Sequence, residues 1–181
     1  ADRYGLPYLA LEDGFVRSMG LGPDDSPLSL VVDGEGIYYD ASRPSRLECC
    51  VRAGYGAAER ERAGRLGALW RRARVSKYNQ GREFAGPLPL PYVLVADQTR
   101  GDASVRYGWA SEHSFAQMLA AALAENPACT VLLKVHPDVL AGRKRGYFDL
   151  AQVAQHPRVQ VMGLDVHPVG LIEQASAVYV V

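Results

Sequence analysis

Cysteine is scarce, with three in 181 residues. Cys49 and Cys50 adjoin, a spacing too tight for an unstrained disulfide, and neither a CxxC pair nor a Cys/His ligand spacing occurs. All three read as reduced structural thiols, which sets aside a disulfide scaffold and the common zinc sites. Net charge is also absent: 20 Lys and Arg balance 20 Asp and Glu. Nothing therefore attracts polyanions in general, and no nucleic-acid partner is expected. Apolar runs such as Val131 to Val135 fall far below the roughly 18 residues that span a bilayer. No signal peptide opens the chain, so a soluble, cytoplasmic address is expected. The sequence has no GxGxxG or Walker loop, no GxSxG elbow and no HExxH, which removes the commonest nucleotide, hydrolase and zinc-protease signatures. It shows no carboxylate triad for a metal.

What is present is an ordinary globular composition, 48% hydrophobic and 22% charged. The chain begins without Met and stops in the apolar run Val178 to Val181, which reads as a buried strand in a piece of a larger protein. The first third reads as strands and tight turns. Tyr8 to Leu11 leads into Glu12-Asp13-Gly14, and Leu28 to Val32 is expected to form a hairpin with Ile37 to Tyr39 around Asp33-Gly34-Glu35-Gly36. Ser42-Arg43-Pro44 looks like a helix entry. Ala57 to Arg74 has apolar residues at helical spacing among many Arg and Glu, an amphipathic helix with a solvated face.

Gly86-Pro87-Leu88-Pro89-Leu90-Pro91 breaks regular structure, because each proline removes a donor and drives its predecessor to extended geometry. A boundary is placed there, dividing 1–86 from 87–181. Strands then alternate with helices: strands at Tyr92–Ala96, Thr130–Val135, Val159–Met162 and Ala177–Val181, helices at Ser111–Glu125, Tyr147–Ala154 and Val169–Ala175. Strands apolar throughout and separated by helices predict an α/β fold with a parallel sheet covered on both faces.

Ligands of such sheets bind beyond the carboxyl ends of the strands, so the polar residues that follow each run matter most. His136, with Pro137 fixing its turn, is either a satisfied loop histidine or a donor to a phosphate. Lys134 is expected on the opposite side of its strand, solvated or covering the sheet. Glu12 and Asp13 serve turn chemistry, or act as a mutually repelling pair with one carboxyl tuned for acid/base work. Asp102 caps a helix or does chemistry. Gln98 satisfies backbone groups. Arg17 either forks onto a substrate carboxylate or pairs with Glu12 or Asp13. Asp165-Val166-His167-Pro168 reads as a second helix entry.

Taken together, EDGFVRSMGLG (Glu12–Gly22), SPLSLVVDGEGIYYD (Ser26–Asp40), Pro44-Ser45-Arg46-Leu47-Glu48, VLVADQTRGDASVRYG (Val93–Gly108) and LLKVHPD (Leu132–Asp138) resemble, in order, the capsule-polysaccharide β-Kdo transferases of the KpsC type. The resemblance runs from about Tyr8 to the last residue. It implies a GT-B-like enzyme with two Rossmann-like lobes, of which this chain, truncated at both ends, would hold parts: residues 1–86 from the acceptor side and 87–181 from the nucleotide-sugar side. It implies retaining transfer of β-Kdo from a CMP-Kdo donor to a lipid-linked glycan acceptor, without metal or other cofactor, on the cytoplasmic side and peripheral to the inner membrane beside other capsule assembly proteins. By the same resemblance Asp102, in the QxxxDxS context of Gln98 to Ser104, matches the nucleophile, and Glu12-Asp13-Gly14 matches the acidic motif. His136-Pro137 matches the phosphate-holding pair, and Gln98, Ser104, Arg17, Ser18 and Gly14 are substrate-side candidates. The isolated fragment is expected to be inactive. Two further readings stay open: an inverting, sialyltransferase-like enzyme in which Asp102 only caps, and a non-catalytic nucleotide- or glycan-binding fragment.

Overall fold

The computed structural model describes residues 5–16, 25–76, 79, 81–164 and 166–181. The chain divides into two compact units, Ala1–Gln80 and Gly81–Val181, the division falling ahead of the proline run.

In the first unit, strand β1 (Ala10–Asp13) pairs antiparallel with β2 (Leu30–Asp33), Leu11 facing Val32 and Asp13 facing Leu30. Helices α1 (Arg46–Ala53) and α2 (Ala57–Arg72) follow. The expected pairing of Leu28–Val32 with Ile37–Tyr39 does not form, and Asp33 is the reason. Its Oδ1 accepts the N–H groups of Glu35 and Gly36 at 2.8 and 3.0 Å, and its Oδ2 accepts that of Arg46 at 2.8 Å. The chain is thereby turned towards the start of α1 instead of back along β2. That start is Ser45 rather than Ser42: Ser45 and Glu48 form a reciprocal capping box, satisfying two N–H groups that a helix end leaves orphaned. Cys49 and Cys50 lie on α1 and are exposed, while Cys129 is half-buried. Helix α2 buries no residue, and its Arg71-Arg72 end complements the helix dipole, as a solvated face would.

The second unit carries the parallel sheet: β3 (Tyr92–Ala96), β4 (Thr130–Lys134), β5 (Val159–Met162) and β6 (Val178–Tyr179), in the order β5-β4-β3-β6. The parallel sheet expected after the proline run is thus present, while the two described strands of the first unit run antiparallel. Helices α3 (Ala103–Tyr107), α4 (Glu112–Glu125), α5 (Pro137–Leu140), α6 (Leu150–Val153) and α7 (Pro168–Gln174) fill the connections. Successive strand residues face opposite ways, so β3 feeds two cores. Val93 and Val95 pack with Phe115, Met118, Ala122, Val131 and Leu133, whereas Tyr92 and Leu94 pack with Leu132, Met162, Val166 and Leu171. Both faces are covered, which is why β3 is hydrophobic at every position.

The helix expected over Tyr147–Ala154 is shorter. Asp149 takes the cap, accepting from Ala151 and Gln152 at 3.0 and 3.1 Å, and the Tyr147 N–H is committed elsewhere, to Asp97.

Candidate active site at the strand ends of the second unit

The strand order β5-β4-β3-β6 is that of a Rossmann half, in which the direction of winding reverses between the first strand, β3, and the fourth, β6. In such sheets the crevice outside the carboxyl ends at this reversal is where ligands bind. Gln98 spans it: its Nε2 donates to the Val181 carbonyl at 3.0 Å. With that amide fixed, Gln98 Oε1 faces the Ser104 hydroxyl at 3.4 Å. Gln98 therefore joins the site as well as satisfying a backbone group.

After β3 the chain turns through Gly101, whose φ of +84° suits a residue without a side chain, and presents Asp102. Asp102 caps α3: its Oδ1 accepts the Ser104 N–H at 2.9 Å and the Ser104 hydroxyl at 2.7 Å. A hydroxyl has one proton, and the shorter contact shows that Ser104 donates it to Asp102. Among the described residues nothing donates to Oδ2, and the side chain is exposed.

After β4 comes His136, which caps α5 in the same manner, with Pro137 in the first turn where a missing N–H leaves nothing unpaired. Its Nδ1 accepts the Asp138 N–H at 3.1 Å, so the neutral ring carries its proton on Nε2 and can donate from there. Burial pushes the His136 pKa down. Asp138 and Asp102 pull the other way, while Lys144 and Lys134 reinforce burial. Four charged side chains thus act on one imidazole, and the Asp102 carboxylate is among them. Lys134, expected on the opposite side of its strand, is among the cations that act on the ring.

Asp138 is held by Arg143, whose Nε and Nη2 reach its Oδ1 at 2.9 and 2.7 Å, and this pairing keeps its carboxyl below the usual range. Lys144 Nζ lies 3.9 Å from the other oxygen. Sequence reasoning missed Asp138, Arg143 and Lys144. The Arg143-Lys144-Arg145 run was visible, but its fold back onto the Asp138 carbonyl, made through the N–H groups of Arg143 and Lys144 at 2.9 and 3.1 Å, carries no local signature.

The remaining candidates lie in the first unit. Glu12 and Asp13 belong to β1 rather than to a turn, and strand geometry sends neighbouring side chains to opposite faces, so they form no carboxylate pair. Glu12 Oε1 instead accepts the Asp13 N–H at 3.1 Å. Gly14 is buried, and a Cβ there would lie 2.1 Å from Ser29 Oγ. Arg17 and Ser18 lie outside the described residues, as does Asp165. His167 caps α7 through Nδ1, with Pro168 in its first turn, the helix entry read from the sequence. Among the described residues no group of three or more His, Cys, Asp or Glu is placed to hold a metal, and no helix is long and apolar enough to cross a membrane.

The profile of the family described as capsule polysaccharide biosynthesis protein matches residues 1–87 and 64–181. The chain belongs to this family. Within the family, it is 41% identical over its whole length to the capsule polysaccharide modification protein LipA of Neisseria meningitidis serogroup B, of which it covers 27%. It is 37% identical over 85% of its length to the lipopolysaccharide-processing protein LpsZ of Rhizobium meliloti, covering 37% of that protein. The chain therefore spans about a quarter to a third of these relatives. Among solved structures it superimposes on the β-Kdo 2,4 transferase of Thermosulfurimonas dismutans KpsC with a TM-score of 0.86 at 46% identity, covering 98% of this chain and 56% of that one. For the β-Kdo 2,7 transferase of the same KpsC the TM-score is 0.54 at 26% identity, covering 94% of this chain and 44% of that one. The fold is that of the KpsC glycosyltransferases, and the capsule-synthesis family supplies the context in which Asp102 and His136 are read.

Proposed function

We propose that this chain is the catalytic region of a retaining β-Kdo transferase that takes Kdo from CMP-Kdo and places it on a lipid-linked glycan during capsule synthesis. The observation that carries this reading is the placement of Asp102 and His136 beyond the carboxyl ends of the neighbouring strands β3 and β4, in a fold shared with KpsC Kdo transferases.

The chemistry follows from the groups. The anomeric carbon of Kdo is quaternary and bears a carboxylate, and its bond to the CMP phosphate oxygen breaks with the electron pair leaving on CMP. A phosphate leaves without an acid, but charge grows on it, and the His136 Nε2–H donates a hydrogen bond to that charge. Asp102 Oδ2 closes on the opposite face of the sugar to form a glycosyl ester. The acceptor hydroxyl then attacks the same carbon, the ester bond breaks back to Asp102, and the hydroxyl proton passes to Glu12 or Asp13, assigned to this role on the resemblance of their motif. Two inversions give net retention. Ser104, donating to Oδ1, holds the nucleophile so that its other oxygen is the reactive one. Arg17, a planar guanidinium, is assigned the Kdo carboxylate, and no cofactor is required. The greater likeness to the 2,4 than to the 2,7 transferase favours the 4-hydroxyl of the acceptor. An acceptor on a lipid places the protein at the cytoplasmic face of the inner membrane.

The capping of α3 by Asp102 favours one other reading, inverting transfer with Asp102 only structural. The Asp102→Ala variant of the full-length protein decides. Loss of transfer by at least about 1,000-fold with CMP affinity retained, and a wild-type product whose anomeric configuration by NMR matches the donor, support the double displacement. Inverted product, or undiminished turnover, removes it.

A further inference from the structure

Asp97 takes no part in the chemistry above, yet among the described residues of the second unit it is the one buried carboxylate, 5% exposed. Its Oδ1 accepts the N–H groups of Gln98 at 2.9 Å and Tyr147 at 3.1 Å. Its Oδ2 is buried without a hydrogen-bond partner and is pressed on Gly146, where a Cβ would lie 2.2 Å from it. Leaving a buried carboxylate oxygen unsatisfied is costly, and a neutral side chain could cap the strand end at less cost.

The segment that Asp97 grips is a strap, residues 143–147, tied at both ends. At one end Thr99 bridges to Gly146, the Arg100 N–H donates to the Arg145 carbonyl at 2.7 Å, and Arg100 Nε donates to the Gly146 carbonyl at 2.9 Å. At the other end the N–H groups of Arg143 and Lys144 donate to the Asp138 carbonyl, and the Arg143 side chain holds the Asp138 carboxylate. Asp138 in turn donates its N–H to His136. The strap therefore runs from the loop that carries His136 to the loop that leads to Asp102.

We infer that Asp97 is a positioning residue: by clamping Tyr147 and Gly146 it sets the spacing between the loop of the nucleophile Asp102 and the phosphate-binding loop of His136. This rests on the transferase reading above. Asp97→Asn keeps an acceptor oxygen for the N–H groups of Gln98 and Tyr147 and so substitutes for it.

The test compares full-length wild type with Asp97→Ala, Asp97→Asn, Gly146→Ala and the Asp97→Ala/Gly146→Ala double variant. Amide exchange tests the clamp itself: Asp97→Ala is expected to lose protection at Tyr147 and Arg100 while β3 and β4 keep theirs, and unchanged protection at Tyr147 overturns the inference. Kinetics test its consequence. A displaced nucleophile lowers kcat by about 10- to 100-fold with the Kd for CMP within about threefold, Asp97→Asn stays near wild type, and Gly146→Ala behaves as Asp97→Ala does. The double variant is no worse than Asp97→Ala, because both changes break one contact. Wild-type kcat in Asp97→Ala, a parallel loss of kcat, CMP affinity and melting temperature, or failure of Asp97→Asn to restore kcat overturns it. If Asp97→Ala does not fold, a slow Gly146→Ala beside a normal Asp97→Asn supports the inference, and any other pairing overturns it. A wild type that neither binds CMP nor transfers Kdo refutes the transferase reading instead, and the exchange data still decide the clamp.

Discussion

Asp102 and His136 follow the carboxyl ends of the adjacent strands β3 and β4, and burial drives the His136 pKa down by more than the Asp138 and Asp102 carboxylates draw it up. The outcome is a neutral ring at physiological pH, its Nδ1 occupied by the Asp138 N–H. A second proton would have to displace that cap.

In the proposed reaction His136 therefore serves the phosphate as a hydrogen-bond donor and not as a cation. CMP affinity is expected to stay flat between pH ~6.5 and 8, and the binding enthalpy near pH 7.5 to be the same in buffers of different ionisation enthalpy. His136→Ala weakens CMP by about tenfold, roughly 1.4 kcal/mol. Affinity that falls steeply as pH rises through the histidine range contradicts this.

The same lowered pKa has a consequence for stability. The contribution of neutral His136 is fully present above the ordinary histidine value of about 6.5 and is lost as pH falls below it towards the lowered folded value. Chemical denaturation of wild type against His136→Gln from pH 5 to 8 should show a gap that narrows on the acid side.

Asp33 titrates in the opposite sense to Asp97. Burial pushes its carboxyl up, but N–H groups from Gly36, Glu35 and Arg46 outweigh burial and hold it below the usual range. Its stabilisation is present above pH ~3.9 and lost as pH falls below that. Asp33→Ala strands those donors and is expected to cost roughly 1–3 kcal/mol, read from urea unfolding of the first unit. A change within error would show that water replaces the carboxylate without penalty.

Gly14 touches Ser29 so closely that an added methyl meets both its hydroxyl at 2.1 Å and its backbone carbon at 2.9 Å. Gly14→Ala should destabilise the pairing of β1 with β2 by about 1–3 kcal/mol. Adding Ser29→Gly relieves the hydroxyl clash and recovers part of the loss. Equal melting temperatures for Gly14→Ala and wild type would show that the strands part without cost.

For Asp97 the raised pKa makes the sign the reverse of Asp33. Stability is greatest while the carboxyl is protonated and declines as pH rises from the ordinary carboxylate value through the raised folded value. The melting temperature of Asp97→Asn, measured relative to wild type, should climb over that interval and then level off. A constant difference across the interval would place the ionisation of Asp97 elsewhere.

The parts of this molecule legible in its sequence are those governed by burial over several consecutive residues. Strand β3 begins and ends where its apolar run does, and Ser111 and Asn126 bound α4 as capping chemistry directs. What stayed hidden was settled by single side chains reaching across long stretches of chain. Asp33 redirected a turn that its Gly-containing sequence allowed to be a hairpin. Asp97 took the Tyr147 N–H, 50 residues away, and shortened α6 from its amino end. At the site, the residues following each strand were readable as candidates because topology alone directs ligands there. The support beneath them was not, since Arg143 and Lys144 reach Asp138, beside His136, only once the strap has folded back.

Because β3 is shared by both cores, with Val93 and Val95 on one side and Tyr92 and Leu94 on the other, it is the keel of the unit and is expected to be the last element to open in local unfolding. Asp102 rides directly behind that keel, whereas the basic segment near His136 is moored at its two ends to loops. In the proposed transferase, the moorings would therefore be what fits the site to a bulky sugar nucleotide.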